Sequence, residues 1–136
     1  MPVLSFRELT LFWRGRLGKT AVVAELPLEL GKHLGATVTD VCVEVSCAHK
    51  LRHKHHLRLE HYHTIQLAIN FGYCGLHRGD LTFIYLDKAI HDQEFQLVIK
   101  QAMSGTELWI KTFHPTGPEG IERLMRQTRE IRPHTK

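Results

Sequence analysis

The chain has 136 residues, 43% of them hydrophobic and 24% charged, and a formal net charge of +4 with histidine counted neutral. That length and composition fit one soluble domain with a real hydrophobic core, and exclude a low-complexity or fibrous chain. No run approaches the ~18 apolar residues of a membrane span. The basic balance favours an anionic partner, nucleic acid first, against the plainer reading of a basic surface kept for solubility.

The cysteines are Cys42, Cys47 and Cys74. An odd count without a close Cys-x-x-Cys pair argues against a disulfide framework and against a structural zinc site. They read as thiols in a reducing compartment. The opening Met-Pro-Val-Leu-Ser-Phe-Arg-Glu-Leu lacks a basic segment followed by an apolar one, so no signal peptide is expected and the location expected is cytoplasmic. A domain cut from a longer polypeptide would read the same way.

In chain order, Glu8 to Arg14 alternates polar and apolar residues and predicts a short strand. Arg14 to Lys19 is a basic turn, whose Gly-x-x-Gly-Lys is too short for a phosphate loop. Pro27 at a first helical position and Gly35 at the end bracket a short helix over Leu28 to Leu34. Val38 to Val45 is β-branched and alternating, which predicts a strand. Ser46 then suits the N-cap of a helix from Cys47 to about His56.

A second helix is predicted from about Leu59 to Asn70, with Leu59, Tyr62, Ile65, Ala68 and Ile69 at helical spacing and Gly72 and Gly75 ending it. Three strands follow, over Leu81–Leu86, Glu94–Lys100 and Glu107–Phe113, with a hairpin signal at Ser104-Gly105-Thr106. Their short connections predict antiparallel neighbours. An Arg-rich amphipathic helix from Gly120 to about Ile131 closes the chain. Helices, then a meander, then a helix make an α+β layout.

Six of the eleven histidines lie between His49 and His63, interspersed with Lys50, Arg52, Lys54 and Arg58. On a helix from Cys47, His49, His53 and His56 share one face, with Lys50 and Lys54 in an adjoining stripe. A zinc site needs three or four ligands converging within ~2.1 Å of one ion. The neighbouring cations oppose that, and Lys50 stands where a metalloprotease helix carries Glu. Cleavage of RNA by its own 2′-hydroxyl needs only an acid, a base and cations around the phosphate. Most of these histidines then read as surface residues, with one or two carrying chemistry.

Period-two spacing in the last strand puts Leu108, Ile110, Thr112 and His114 on one face and Trp109, Lys111 and Phe113 on the other. Thr112 and His114 then end an apolar face, a natural place for a site, although strand propensity alone accounts for Thr112 and a turn alone for His114. Lys100 ends the strand before and Arg78 lies in the loop ahead of the strands. Arg123, Arg126 and Arg129 recur at helical spacing, as a solvated face or a phosphate track. Trp109 and Tyr85 read as core or half-buried, and either stacks a base if exposed.

A strand ending in Val45-Ser46 leads into a helix carrying Lys50, His53, Lys54 and His55. Leu59-Glu60-His61-Tyr62 opens a second helix, and a Gly turn precedes three strands that end in Glu107-Leu108-Trp109-Ile110-Lys111-Thr112-Phe113. This order, from about Leu26 to Ile131, resembles the phage-associated nucleases grouped with barnase, EndoU, colicin tRNases and RelE (the BECR nucleases). The resemblance implies a one-domain fold over residues 1–136, with N-terminal helices on a four-stranded antiparallel sheet and a C-terminal helix. It also implies a metal-independent, cofactor-free endoribonuclease, phage- or toxin-associated, that leaves a 2′,3′-cyclic phosphate.

The family's Lys-x-x-His then falls on Lys50 and His53, and its Lys-Thr-Phe on Lys111, Thr112 and Phe113. The extra histidines leave His53 and His55 both open as the catalytic one. In this reading Lys50, Arg78, Lys100 and Lys111 hold phosphate, Thr112 donates a hydrogen bond and His114 is a second proton-transfer group. The partners implied are RNA, either tRNA or mRNA, and an immunity protein or antitoxin, with no membrane. Two alternatives stand beside it: a non-catalytic basic module that binds nucleic acid or protein, and a histidine-rich metal-binding protein.

Overall fold

Among the described residues, seven strands join in one sheet. The structure is a computed structural model. It describes residues 7–8, 12, 20–54, 61–87, 93–102 and 107–133, with side chains for all of these except 51–54, 61, 87 and 93. The elements in order are β1 (Thr20–Glu25), α1 (Leu28–Gly31) with a 3-10 turn (Lys32–Leu34), β2 (Asp40–Glu44), α2 (Val45–Lys54), α3 (His61–Phe71), β3 (Tyr73–His77), β4 (Asp80–Asp87), β5 (Gln93–Gln101), β6 (Leu108–Pro115), α4 (Pro118–Gln127) and β7 (Arg129–Arg132).

The strand order is β1-β2-β6-β5-β4-β3-β7. Every pairing is antiparallel except β2 with β6, which is parallel. The α+β class holds, but the expected four-stranded antiparallel sheet behind N-terminal helices does not. The sheet is mixed and has seven strands, and β1 and β2 belong to it from the N-terminal side.

Three strands account for the difference. In β1 four consecutive residues are buried, Ala21 to Ala24, so no alternation marks it. β3 contains Gly75, which reads as a helix stop, yet a Cβ there would lie 2.8 Å from the Thr128 side chain and 2.9 Å from the Tyr73 hydroxyl. β7 is the tail of the expected closing helix. That helix ends at Gln127, so Arg129 leaves the row of Arg123 and Arg126 and pairs with Leu76 on β3. The expected strand from Glu8 is helical at Glu8 and Phe12, while the basic turn and the Ser104–Thr106 hairpin lie outside the described residues.

The main core lies under the helix-covered face. Ala48 of α2 and Tyr62, Ile65, Ala68 and Ile69 of α3 pack on Leu81, Phe83, Phe95, Leu97, Ile99, Leu108, Ile110 and Phe113. The helical spacing read for α3 is therefore its buried face. Phe95 and Phe113 stack with centroids 5.3 Å apart, and each such ring contributes about 1.5–3 kcal/mol through burial alone. Among the described residues no helix is long and apolar enough to cross a membrane.

The β3–β4 hairpin turns through Arg78 at φ 52° and Gly79 at φ 83°. Positive φ at both central residues is the type I′ pattern, which matches the twist of the flanking strands. Arginine is a poor choice for the first position, since a left-handed L-residue costs roughly 1–2 kcal/mol.

Candidate functional site

The parallel pairing of β2 and β6 is brief: Val41 with Leu108 and Cys42 with Trp109. Beyond it the chains part. β2 runs into α2 at Val45, whereas β6 continues to Pro115. A crevice opens where a parallel strand ends and its neighbour runs on, as at the switch points of open sheets. Here it is a cleft of about 610 Å³ lined by Glu44, Ser46, Cys47, Lys50, Lys100, Gln101, Ala102, Trp109, Ile110 and Lys111.

Three elements each bring a lysine to it: Lys50 from α2, Lys100 from β5 and Lys111 from β6. All three are exposed. The first turn of α2, with Ser46 and Cys47, also faces the cleft and carries no acidic residue, so the positive end of the helix dipole adds to the field. Glu44 is the lining carboxylate, and Ser46 Oγ donates to it at 3.4 Å. Cys47 donates its S–H to the Ile110 carbonyl, 3.7 Å away. Burial pushes the Cys47 thiol up, Lys50 pulls it down, Glu44 pushes it up and Lys100 pulls it down.

A β-bulge corrects the expected faces of β6. Thr112 pairs with Val98 and Ile110 with Ile99, leaving Lys111 as the additional residue. The extra residue flips the alternation. Phe113 joins Leu108 and Ile110 in the main core. Thr112 and His114 fall on the opposite face with Trp109, not on the face of Leu108 and Ile110.

On that opposite face a second cleft of about 150 Å³ is lined by His77, Arg78, Asp80, Thr82, Gln96, Val98, Lys111, Thr112 and Leu124 of α4. Lys111 belongs to both clefts and donates to Asp80 Oδ2 at 3.1 Å. Among the described residues Lys50 and Lys100 have no carboxylate partner. Thr112 Oγ1 and His114 Nδ1 are hydrogen-bonded at 3.2 Å, and His77 Nδ1 lies 3.2 Å from the Gln127 carbonyl.

Of the expected site residues, Lys50, Lys100 and Lys111 thus converge on the larger cleft. Arg78, Thr112 and Lys111 line the smaller one. His114 touches Thr112 but lines neither. His53 follows Lys50 by one turn of α2, with a side chain outside the described set, and His55 lies outside it altogether. The described helix stops at Lys54, short of His56. Among the described residues no three His, Cys, Asp or Glu side chains are grouped to hold a metal ion.

Sequence reading passed over Glu44, Ser46, Gln101 and Asp80. A signal existed for the first two, which stand at the strand-to-helix junction immediately before Lys50. Gln101 and Asp80 carried none, because only strand pairing brings them to the clefts. No family model, no curated protein and no solved structure matches the chain.

Proposed function

We propose that the chain is a metal-independent endoribonuclease whose scissile phosphate sits among Lys50, Lys100 and Lys111. The observation behind this reading is that three lysines from three separate elements line one cleft, with Glu44 the one carboxylate among its described lining residues. Cleavage by the substrate's own 2′-hydroxyl calls for cations around a pentacoordinate phosphate, which the lysines supply. It also calls for two proton-transfer groups.

Glu44 takes the 2′-hydroxyl proton as that oxygen attacks phosphorus. His53, one turn beyond Lys50, gives a proton to the departing 5′-oxygen. The products are a 2′,3′-cyclic phosphate and a 5′-hydroxyl. Thr112 and His114, which do not line the lysine cleft, move from the catalytic set to the path of the flanking strand.

Purified protein is expected to cut RNA in the presence of EDTA and leave cyclic phosphate ends, with turnover falling by at least roughly a hundred-fold in Glu44→Gln, the range general for a lost acid or base. Absence of cleavage of every RNA tried, with or without ribosomes, overturns the assignment. A second reading, a basic module that binds RNA without cutting it, draws on the lysines alone, since three cations lining one cleft hold phosphate without any proton-transfer group. Salt-sensitive RNA binding without turnover, unchanged in His53→Ala, is its signature.

A further inference from the structure

The lysine cleft also holds groups that a bare phosphate site does not need. Trp109 lines it and is only half-buried. Its register partner on β5 is Lys100, and Lys111 follows it two residues later. The indole Nε1–H donates to Glu107 Oε2 at 3.0 Å, which holds the ring in place. Gln101 lines the same cleft, and among the described residues its Oε1 is buried without a hydrogen-bond partner. An unsatisfied buried acceptor is rare and points to a ligand group that completes it.

A planar apolar ring, a spare amide acceptor and cations on either side match the parts of one nucleotide. The base stacks on the ring, its edge meets the amide, and the phosphates before and after it meet lysines. We infer that Trp109 is the stacking platform for an unpaired nucleobase and that the ligand of this cleft is single-stranded RNA. A-form duplex keeps its bases stacked inside, whereas single strands, loops and bulges offer them to aromatic side chains. This inference rests on the phosphate reading of the cleft and narrows it to a substrate class.

Fluorescence anisotropy tests it with a short 2′-O-methyl RNA, which has no free 2′-hydroxyl to attack, alongside its blunt duplex and an abasic ribose-phosphate oligomer of equal length. The single strand is expected to bind roughly ten-fold or more tighter than the abasic oligomer, the scale of one or more stacked bases. It is also expected to bind tighter than the duplex. Trp109→Leu should bring the single strand down to the abasic level, and Trp109→Tyr should retain most of the difference.

Equal binding of the abasic and base-bearing oligomers overturns the stacking role, and that arm needs no substitution that might disturb the fold. If Lys50→Ala and Lys100→Ala still weaken binding in that case, the phosphate site stands without the platform. If no oligomer binds at all, both fail together.

Discussion

Arg132 near one edge of this sheet and three lysines around β6 are cations put to different uses. At the β3–β7 end the Arg132 guanidinium is bonded to backbone carbonyls. Its Nη2 donates to the carbonyls of Ile69 at 2.6 Å and Gly72 at 2.8 Å, and its Nε donates to Gly72 at 3.1 Å. It also lies 5.9 Å from the centroid of the Phe83 ring. Ile69 lies in the last turn of α3, where no residue inside the helix can satisfy its carbonyl, and Gly72 follows that end, so a strand far along the chain caps the helix.

Around β6, Lys50, Lys100 and Lys111 converge with one ion pair among them, Lys111 with Asp80. Cations spent on carbonyls hold a fold together. Cations left facing a cleft are, in the proposed reading, the ones that meet an anion. The difference lies in whether the neighbouring backbone is already satisfied.

The largest effect expected from this contrast is on stability. Arg132→Ala should lower the unfolding free energy by about 2–4 kcal/mol, since several charge-assisted hydrogen bonds are lost and carbonyls are left behind. Urea denaturation reads that loss, and RNA affinity of the folded fraction should stay unchanged. A loss below ~1 kcal/mol would mean that water replaces the guanidinium and that the cap is dispensable.

The same end should respond to alkaline pH. Cys74, the register partner of Arg132, is pushed up to about 12 by burial, partly offset by that arginine. In the unfolded chain the thiol ionises near its ordinary value of 9.0, and in the folded chain it stays protonated. The unfolded state therefore binds fewer protons above that value. Stability from this group is complete below pH 9 and is lost as pH climbs toward 12. The loss reaches on the order of 2–3 kcal/mol by about pH 11. Cys74→Ala should flatten that limb of a Tm-against-pH curve; an unchanged slope assigns it to other groups.

A third change should affect fold and site in opposite directions. Arg78→Gly relieves the left-handed strain and should stabilise the hairpin by about 1 kcal/mol. It should also weaken RNA binding, because Arg78 lines the smaller cleft beside Lys111. Stabilisation without any loss of affinity would remove that cleft from the RNA path. The smallest stability effect belongs to the lysines. Lys50→Ala and Lys100→Ala should each shift unfolding by less than about 0.5 kcal/mol. Each should also reduce the salt slope of RNA binding by about one. A change in stability as large as that of Arg132→Ala would erase the contrast between the two groups.

What was legible in the chain was whatever depends on near neighbours. Tyr62, Ile65, Ala68 and Ile69 announce the buried face of α3 through their spacing alone, and Gly35 marks a left-handed helix end at φ 72°. The meander of β4, β5 and β6 follows from short connections. The family resemblance marks Lys50 and Lys111, and a strand-end charge marks Lys100, but nothing in the sequence joins the three in one cleft.

What was not legible depends on partners far along the chain. Period-two counting assigns Thr112 and His114 to the core side of β6, and one additional residue at Lys111 moves both across the sheet. No local pattern announces a bulge, because it arises from how β6 registers against β5. Arg129 to Arg132 continue a helical row in sequence, yet β3 offers them a strand edge and α3 offers Arg132 its carbonyls. Composition and periodicity thus determined the basic character, the α+β class and the central meander. Tertiary pairing alone decided the parallel β2–β6 contact, and with it the cleft, because a crevice between two strands exists only once both are in place.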